Sequence, residues 1–348
     1  MFDFKKEDSI IINNKTVFFD ELFKKKIDYS ILNYSFFENK IILVTGGGTI
    51  GSSLIKYLLL QNVKKIILVD HSEYAIFNLH LDLKQNINLN KIKFLLGDIR
   101  NTSFIDEIFK KFTINIVYHT AAYKHINILE DNMTEAITNN IDGTINLLNI
   151  SLINNIDQFI YISTDKAVNP INKMGITKRI AELKLLDKII YTNNSFIKII
   201  RFGNVFNSSG SVFPIFKYQI ENNKNLTITD SNMKRYFISK FQAARGLMEI
   251  SNPSNPSGIY LLNMQESHKI LIILLELLKK LDLEYLTKDI YITSNTKDHE
   301  KLEEELYYPY ELIENCNNLF SKLKLELELN SKNEINAELI NLYGILKK

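Results

Sequence analysis

The sequence predicts an α/β protein with a doubly wound parallel sheet and a smaller C-terminal domain. Three observations predict it. Short apolar, β-rich runs alternate with helical stretches from Lys40 to Gly203, the rhythm of a parallel sheet covered on both faces. Each run ends in small or polar residues, at the carboxyl ends of strands, where such sheets bind ligands. After Asn204 the rhythm breaks, and Gly, Ser, Pro and Asn become frequent.

The elements follow in order. Residues 1–38 carry mixed charge without a clear period and read as an N-terminal appendage. Residues 41–44 form the first strand, and a glycine turn leads into a helix over 52–60. Residues 65–69 form a second strand ending in Asp70. The run 94–96 ends in Gly97-Asp98, and 114–118 ends in His119-Thr120-Ala121-Ala122. The run 159–162 ends in Ser163-Thr164-Asp165-Lys166, and 196–200 ends in Arg201-Phe202-Gly203-Asn204. A helix over 269–281 belongs to the smaller domain. The expected division is 39–203 with a returning segment near 237–262 for the large domain, and 204–236 with 263–348 for the small one.

Bulk properties exclude several classes. The chain has 348 residues and is 45% hydrophobic, ample for one large core or two modest ones. A formal charge of +2 gives no reason to expect nucleic acid or an anionic membrane. The single cysteine, Cys316, excludes an internal disulfide and a cysteine-rich zinc site. The six histidines form no His-x-x-x-His pair, so no metal is expected. No signal-peptide core opens the sequence, and the longest apolar run, 270–275, is too short to span a bilayer. The expected location is cytoplasmic, with no membrane segment.

Thr45-Gly46-Gly47-Gly48-Thr49-Ile50-Gly51 follows a strand and opens a helix. Gly46, Gly48 and Gly51 fit G-x-G-x-x-G, in which backbone N–H groups approach a pyrophosphate at a helix N-terminus. Asp70 stands at the next strand end, 19 residues after Gly51. There it accepts hydrogen bonds from an adenosine ribose and repels a 2′-phosphate, which favours NAD over NADP. Asp98 and Ile99 are placed near the adenine, and Thr49, Ile50, Ala121 and Ala122 complete the expected cofactor contacts. The bland alternative is a glycine turn needed only for close helix–strand packing.

Further motifs are His119 through His125, Glu130-Asp131-Asn132, Ser163 through Pro170, and Met174-Gly175-Ile176-Thr177-Lys178-Arg179. They continue with Arg201 through Val205, Ser208 through Val212, and Met233-Lys234-Arg235-Tyr236-Phe237. Together they resemble the extended short-chain dehydrogenase/reductase superfamily, a Rossmann sheet with a C-terminal nucleotide-sugar-binding domain. Within it they look most like the C5-retaining UDP-N-acetylglucosamine 4,6-dehydratases of polysaccharide biosynthesis. The likeness runs from about Ile41 to Glu314. The superfamily carries Tyr-x-x-x-Lys where this chain has Met174 and Lys178, four residues apart on one helix face. A Met at that place marks the retaining branch.

The resemblance implies a redox-neutral lyase with NAD as cofactor and a UDP-sugar as substrate. It implies Asp165 as acid to the leaving C6 hydroxyl, Lys166 as C5 base and Thr164 on the C4 oxygen. Lys178 holds the nicotinamide ribose. Lys124, His125, Met174, Asn204, Ser211 and Arg235 are the implied substrate contacts, Arg235 because its fork suits phosphate. The bland alternatives are a helix cap for Asp165, a core methionine for Met174 and a surface ion pair for Arg235. The resemblance also implies a homodimer or higher homo-oligomer, paired through helices near 134–149 and 173–189.

Three departures from the family stand out. The glycine loop is one residue short. The late Arg-Pro-Gly-Glu-Lys element reads Lys297-Asp298-His299-Glu300-Lys301, and Lys does not replace a bidentate Arg. The N-terminal membrane segments of larger members are not read here. The charge run 298–305 reads as a solvated helix start. Competing readings are a nucleotide-sugar 4-epimerase, another nucleoside-diphosphohexose 4,6-dehydratase, and a non-catalytic dinucleotide-binding sensor.

Overall fold

The computed structural model describes residues 2–84, 88–192, 196–283, 290–293, 299–325 and 332–346. Strands are numbered in chain order. They are β1 (Ser9–Ile12), β2 (Lys15–Phe18), β3 (Ile41–Thr45), β4 (Lys65–Asp70), β5 (Ile92–Leu96) and β6 (Ile116–His119). There follow β7 (Gln158–Ile162), β8 (Ile197–Arg201), β9 (Asn204–Val205), β10 (Leu226–Ile228) and β11 (Lys234–Ile238). The last are β12 (Gly258–Leu262), β13 (Ser267–Lys269), β14 (Ile290–Ile292), β15 (Glu311–Asn315) and β16 (Phe320–Leu325).

Nine strands make the main sheet in the order β15-β16-β12-β8-β7-β6-β3-β4-β5. From β12 to β5 every neighbouring pair is parallel, whereas β16 joins β12 and β15 antiparallel. The continuous apolar runs of β3 and β4 follow from this, because helices cover both faces. The strand order reverses between β3 and β6. The crevice beyond their carboxyl ends is where a doubly wound sheet receives a ligand.

Helix Thr49–Leu58 packs against helix Lys240–Ile250 from the returning segment. The latter starts with a capping box between Ser239 and Gln242. Its N-terminus is also held by a distant carboxylate, since Asp8 accepts from the Lys240 backbone N–H at 2.7 Å. Strand β8 carries a buried lysine, Lys198, whose ammonium donates to Gln158 and to the carbonyls of Ile250 and Asn252. Those acceptors satisfy it, though burial still draws its pKa down to about 7.

Two expectations need correction. The N-terminal stretch is not an appendage. β1 and β2 form a hairpin, and Ile10, Ile12, Val17, Phe19, Leu22 and Phe23 share a second core with Phe206, Phe213, Phe237 and helix Ile270–Lys280. Alternation in β1 and β2 is too short to register as a period. Secondly, β15 and β16 extend the main sheet instead of staying in the small lobe. Helix Lys173–Thr192 packs against the chain's own helix Lys332–Leu346. Arg179 binds Glu338 there, and no residue from 173 to 190 is exposed. Among the described residues no helix is long and apolar enough to cross a membrane.

Candidate active site

The glycine loop leaves β3 at Gly46, whose φ of +91° is left-handed. A side chain there would collide with the Ala121 backbone, 2.7 Å from the added carbon, and one at Gly51 would lie 1.8 Å from the Gly46 carbonyl oxygen. Gly48 is different. A Cβ there would meet nothing within 4 Å, because the loop opens onto a cavity. Helix Thr49–Leu58 starts at Gly48 with no side-chain cap, so its first N–H groups face that space, an arrangement suited to an anion.

The cavity holds about 230 Å³ and is lined by Gly46, Gly48, Asp70, Ile99, Ala121 and Ala122 together with Asn139. Asp70 Oδ2 accepts from Gly47 N–H at 2.5 Å and Oδ1 from Ser72 N–H at 2.7 Å. The acid therefore shapes the glycine loop as well as facing the cavity. Asp98 points elsewhere. Its carboxylate is paired with Arg100, which also binds Glu135; burial raises its pKa, but the Arg100 hydrogen bonds and charge outweigh that and hold it below the ordinary value. Thr49 bonds Ser209 N–H across the cleft at 3.2 Å, and Ile50 packs against the main core. Asn139 was missed. It sits in a π-turn, Thr138–Asp142, a break that the apolar pattern of the helix does not announce.

The second half of the site is a ledge after β7. Thr164 starts a 3₁₀ turn, Asp165–Ala167. Its hydroxyl donates to Asp165 Oδ1 at 2.8 Å. Asp165 is fully buried, and its Oδ2 has no partner. Lys166 Nζ donates to Asp165 Oδ1 at 3.0 Å and to Asn204 Oδ1 at 3.1 Å. Lys178 Nζ donates to the Ile162 carbonyl at 2.6 Å and lies over the Tyr161 ring. Burial pulls its pKa down to about 7. Below the ledge, Arg201 at the end of β8 binds Glu182 and Glu311, all buried. The opposed guanidinium charges of Arg201 and Arg179 overcome desolvation and hold the Glu182 carboxyl down to about 2.

The expected substrate contacts divide. Lys124 faces the ledge, 3.5 Å from Ser208 Oγ, with its pKa lowered by burial and then by Lys166. His125 packs on Gly210, where an added Cβ would strike the imidazole. Ser211 precedes helix Val212–Glu221, and its buried hydroxyl has no partner. Met174 instead packs with Leu129 and Ala136 in a small apolar cluster. Arg235 is not a free fork. Its Nη1 donates to the carbonyls of Lys234, Lys301 and Leu302.

The charge run is also corrected. Lys297 and Asp298 lie outside the described residues, but 299–305 contain no helix, and Glu304 is buried. Its run of charged neighbours concealed that.

Residues 42–320 match the family described as polysaccharide biosynthesis protein. The chain belongs to that family. This family member is 40% identical over 235 residues to the capsular polysaccharide biosynthesis protein CapD of Staphylococcus aureus, covering 67% of this chain and 39% of CapD. It is 34% identical to the probable polysaccharide biosynthesis protein EpsC of Bacillus subtilis, over 87% of this chain and 47% of EpsC. The chain thus spans less than half the length of either. A UDP-glucose 4-epimerase of Rickettsia bellii is 38% identical over 58% of the chain and 60% of its own length. Among solved structures, Pen from Bacillus thuringiensis superposes with a TM-score of 0.74 at 29% identity, covering 82% of this chain and 90% of Pen. DesIV from Streptomyces venezuelae, a dTDP-glucose 4,6-dehydratase with NAD bound, reaches 0.68 at 18% identity, covering 88% and 97%, and speaks to the fold alone. The Rossmann-like architecture expected of the sequence is therefore present.

Proposed function

We propose that the protein is an NAD-dependent nucleotide-sugar 4,6-dehydratase acting on UDP-N-acetylglucosamine. The observation that carries this reading is the ledge: an acid and a lysine side by side, with one oxygen of the acid bonded to the lysine and a threonine hydroxyl and the other without a partner. Gly46, Gly48, Gly51 and Asp70 would hold NAD, with Thr49, Ile50, Ile99, Ala121, Ala122 and Lys178 around it. When bound, NAD would supply a hydride acceptor for C4 and, once reduced, a hydride donor for C6.

The chain's own residues handle the protons. Met174 carries none, so the C4 hydroxyl proton needs another route. Thr164 would take it while passing its own proton to Asp165 Oδ1, to which its hydroxyl already donates. Asp165 then holds the proton that the leaving C6 hydroxyl requires to depart as water. Lys166 removes the C5 proton, acidified by the C4 carbonyl, and returns it to the same face, which retains configuration. Each proton is thereby accounted for, and the groups lie within hydrogen-bond reach of one another. Lys124, Asn204, Ser211 and the helix start at Val212 would face the sugar and its diphosphate.

The Rickettsia relative favours a second reading, a 4-epimerase. Epimerisation needs neither a C6 acid nor a C5 base, so it leaves the Asp165–Lys166 pair without work. Mass spectrometry of the product from UDP-N-acetylglucosamine separates the two. Loss of one water supports dehydration. A product of unchanged mass with inverted C4 overturns it.

A further inference from the structure

Lys166 is surrounded by oxygen from three chain segments. Asp165 Oδ1 lies 3.0 Å away on its own turn and Asn204 Oδ1 3.1 Å away on β9. The third is Glu304 Oε1, 3.8 Å away on the segment after residue 298. Glu304 is 5% exposed. Its other charged neighbour is Arg235, with Nε at 3.9 Å. A buried carboxylate needs compensating charge, and here it faces two cations at the mouth of the ledge. Arg235 in turn is fixed by the carbonyls of Lys301 and Leu302, and Lys301 donates to the Val168 carbonyl just past the ledge. The segment that bears Glu304 is therefore tied to the catalytic turn from both sides.

We propose that Glu304 is a positioning residue that keeps the amine of Lys166 from being held by Asp165 alone. The inference rests on reading Lys166 as the C5 base and Asp165 as the C6 acid. Those two groups must address different atoms of the sugar. A lysine amine on a flexible four-carbon stem beside its own neighbour's carboxylate settles into that ion pair, and acid and base then occupy each other. A second carboxylate, that of Glu304 at 3.8 Å, competes for the amine. Coulomb attraction falls only as the inverse of distance, so the pulls at 3.0 Å and 3.8 Å are comparable. Asn204 adds a neutral acceptor between them. The amine is thus shared among Asp165, Asn204 and Glu304, and turning toward C5 does not require breaking a single dominant ion pair.

The test compares E304Q, E304D and E305Q in the full chain with UDP-N-acetylglucosamine. Glu305 is a neighbouring exposed carboxylate bound to Lys301 and Asn169, and its variant serves as the control. E304Q should lose about 10²-fold in kcat, the scale of a misplaced reacting group. Exchange of the C5 hydrogen with deuterated water should fall in parallel. KM, the affinity for UDP and the thermal midpoint should stay near wild type. E304D, which keeps the charge, should recover part of the rate, and E305Q should match wild type. Equal loss of kcat, UDP affinity and thermal midpoint in E304Q would assign Glu304 a structural role through Arg235 and overturn the inference. So would an E304Q variant that exchanges C5 normally. If the wild-type protein neither exchanges C5 nor dehydrates the sugar, the function itself is wrong and the inference falls with it.

Discussion

The Thr164 hydroxyl donates to Asp165 Oδ1 at 2.8 Å, while Asp165 Oδ2 is buried without a partner. With Lys166 also donating to Oδ1, the acid has a hydroxyl neighbour, an ammonium neighbour and one free oxygen. The Thr164 bond also gives a chain with methionine at position 174 a route for the C4 proton. Thr164→Val removes the route but keeps the shape. It should lower kcat by about 10²–10⁴, the usual scale for a lost proton transfer, with UDP affinity unchanged. Pre-steady-state absorbance of the reduced nicotinamide should show the C4 oxidation itself slowed.

Asp165→Asn and Lys166→Met should each lose about 10²–10⁴ in turnover, yet in different ways. Without Lys166, C5 exchange into deuterated water should fail. Without Asp165, exchange should persist while loss of water stalls. Proton NMR of the sugar distinguishes the two lesions.

Asp70→Ala should weaken NAD binding by about 1–3 kcal/mol, the cost of losing a charge-assisted acceptor. The structure adds a second reason, because Asp70 also holds the Gly47 N–H. Calorimetry with NAD is the check, and unchanged affinity would remove Asp70 from the cofactor site.

Phe23 touches the rings of Phe19, Phe206, Phe213 and Phe237. Phe23→Ala should destabilise the protein by about 3–5 kcal/mol, as for other buried aromatic truncations. Phe206 directly precedes the 207–211 loop, so UDP affinity should fall as well. Urea denaturation and UDP titration measure both effects.

His119 Nδ1 lies 2.7 Å from Thr45 Oγ1 and Nε2 2.8 Å from Thr144 Oγ1. Thr144 already donates to the Asn140 carbonyl, so its oxygen accepts from Nε2–H and the ring is neutral. Burial, aided by Lys178, pushes the imidazole down to about 3 from its ordinary 6.5. A depressed folded pKa means that the unfolded chain binds the extra proton. The stability His119 contributes is present above pH 6.5 and is lost as pH falls from 6.5 toward 3. Asp8 acts oppositely, since burial raises it to about 6, so the variant isolates the effect. His119→Gln should flatten the fall of the denaturation midpoint across that range.

Much of this was legible in the sequence. Parallel strands buried on both faces leave unbroken apolar runs, and Gly46, Gly51 and Asp70 sit where only a tight turn and a strand-end acid fit. What stayed hidden depended on distant partners. Phe19 and Phe23 gain meaning only against Phe206 and Phe237. Glu304 reads as one more charge in a charged run until Lys166 and Arg235 close around it. Met174 and Arg235 were expected at the substrate, yet packing with Leu129 and three backbone carbonyls decides their places.

The most direct test follows one labelled hydrogen. UDP-N-acetylglucosamine carrying deuterium at C4 is incubated with the protein and NAD, and the product is examined by NMR. The account predicts deuterium in the C6 methyl group, a carbonyl at C4 and retained configuration at C5. Deuterium returned to C4, with that centre inverted and the C6 hydroxyl intact, would contradict it.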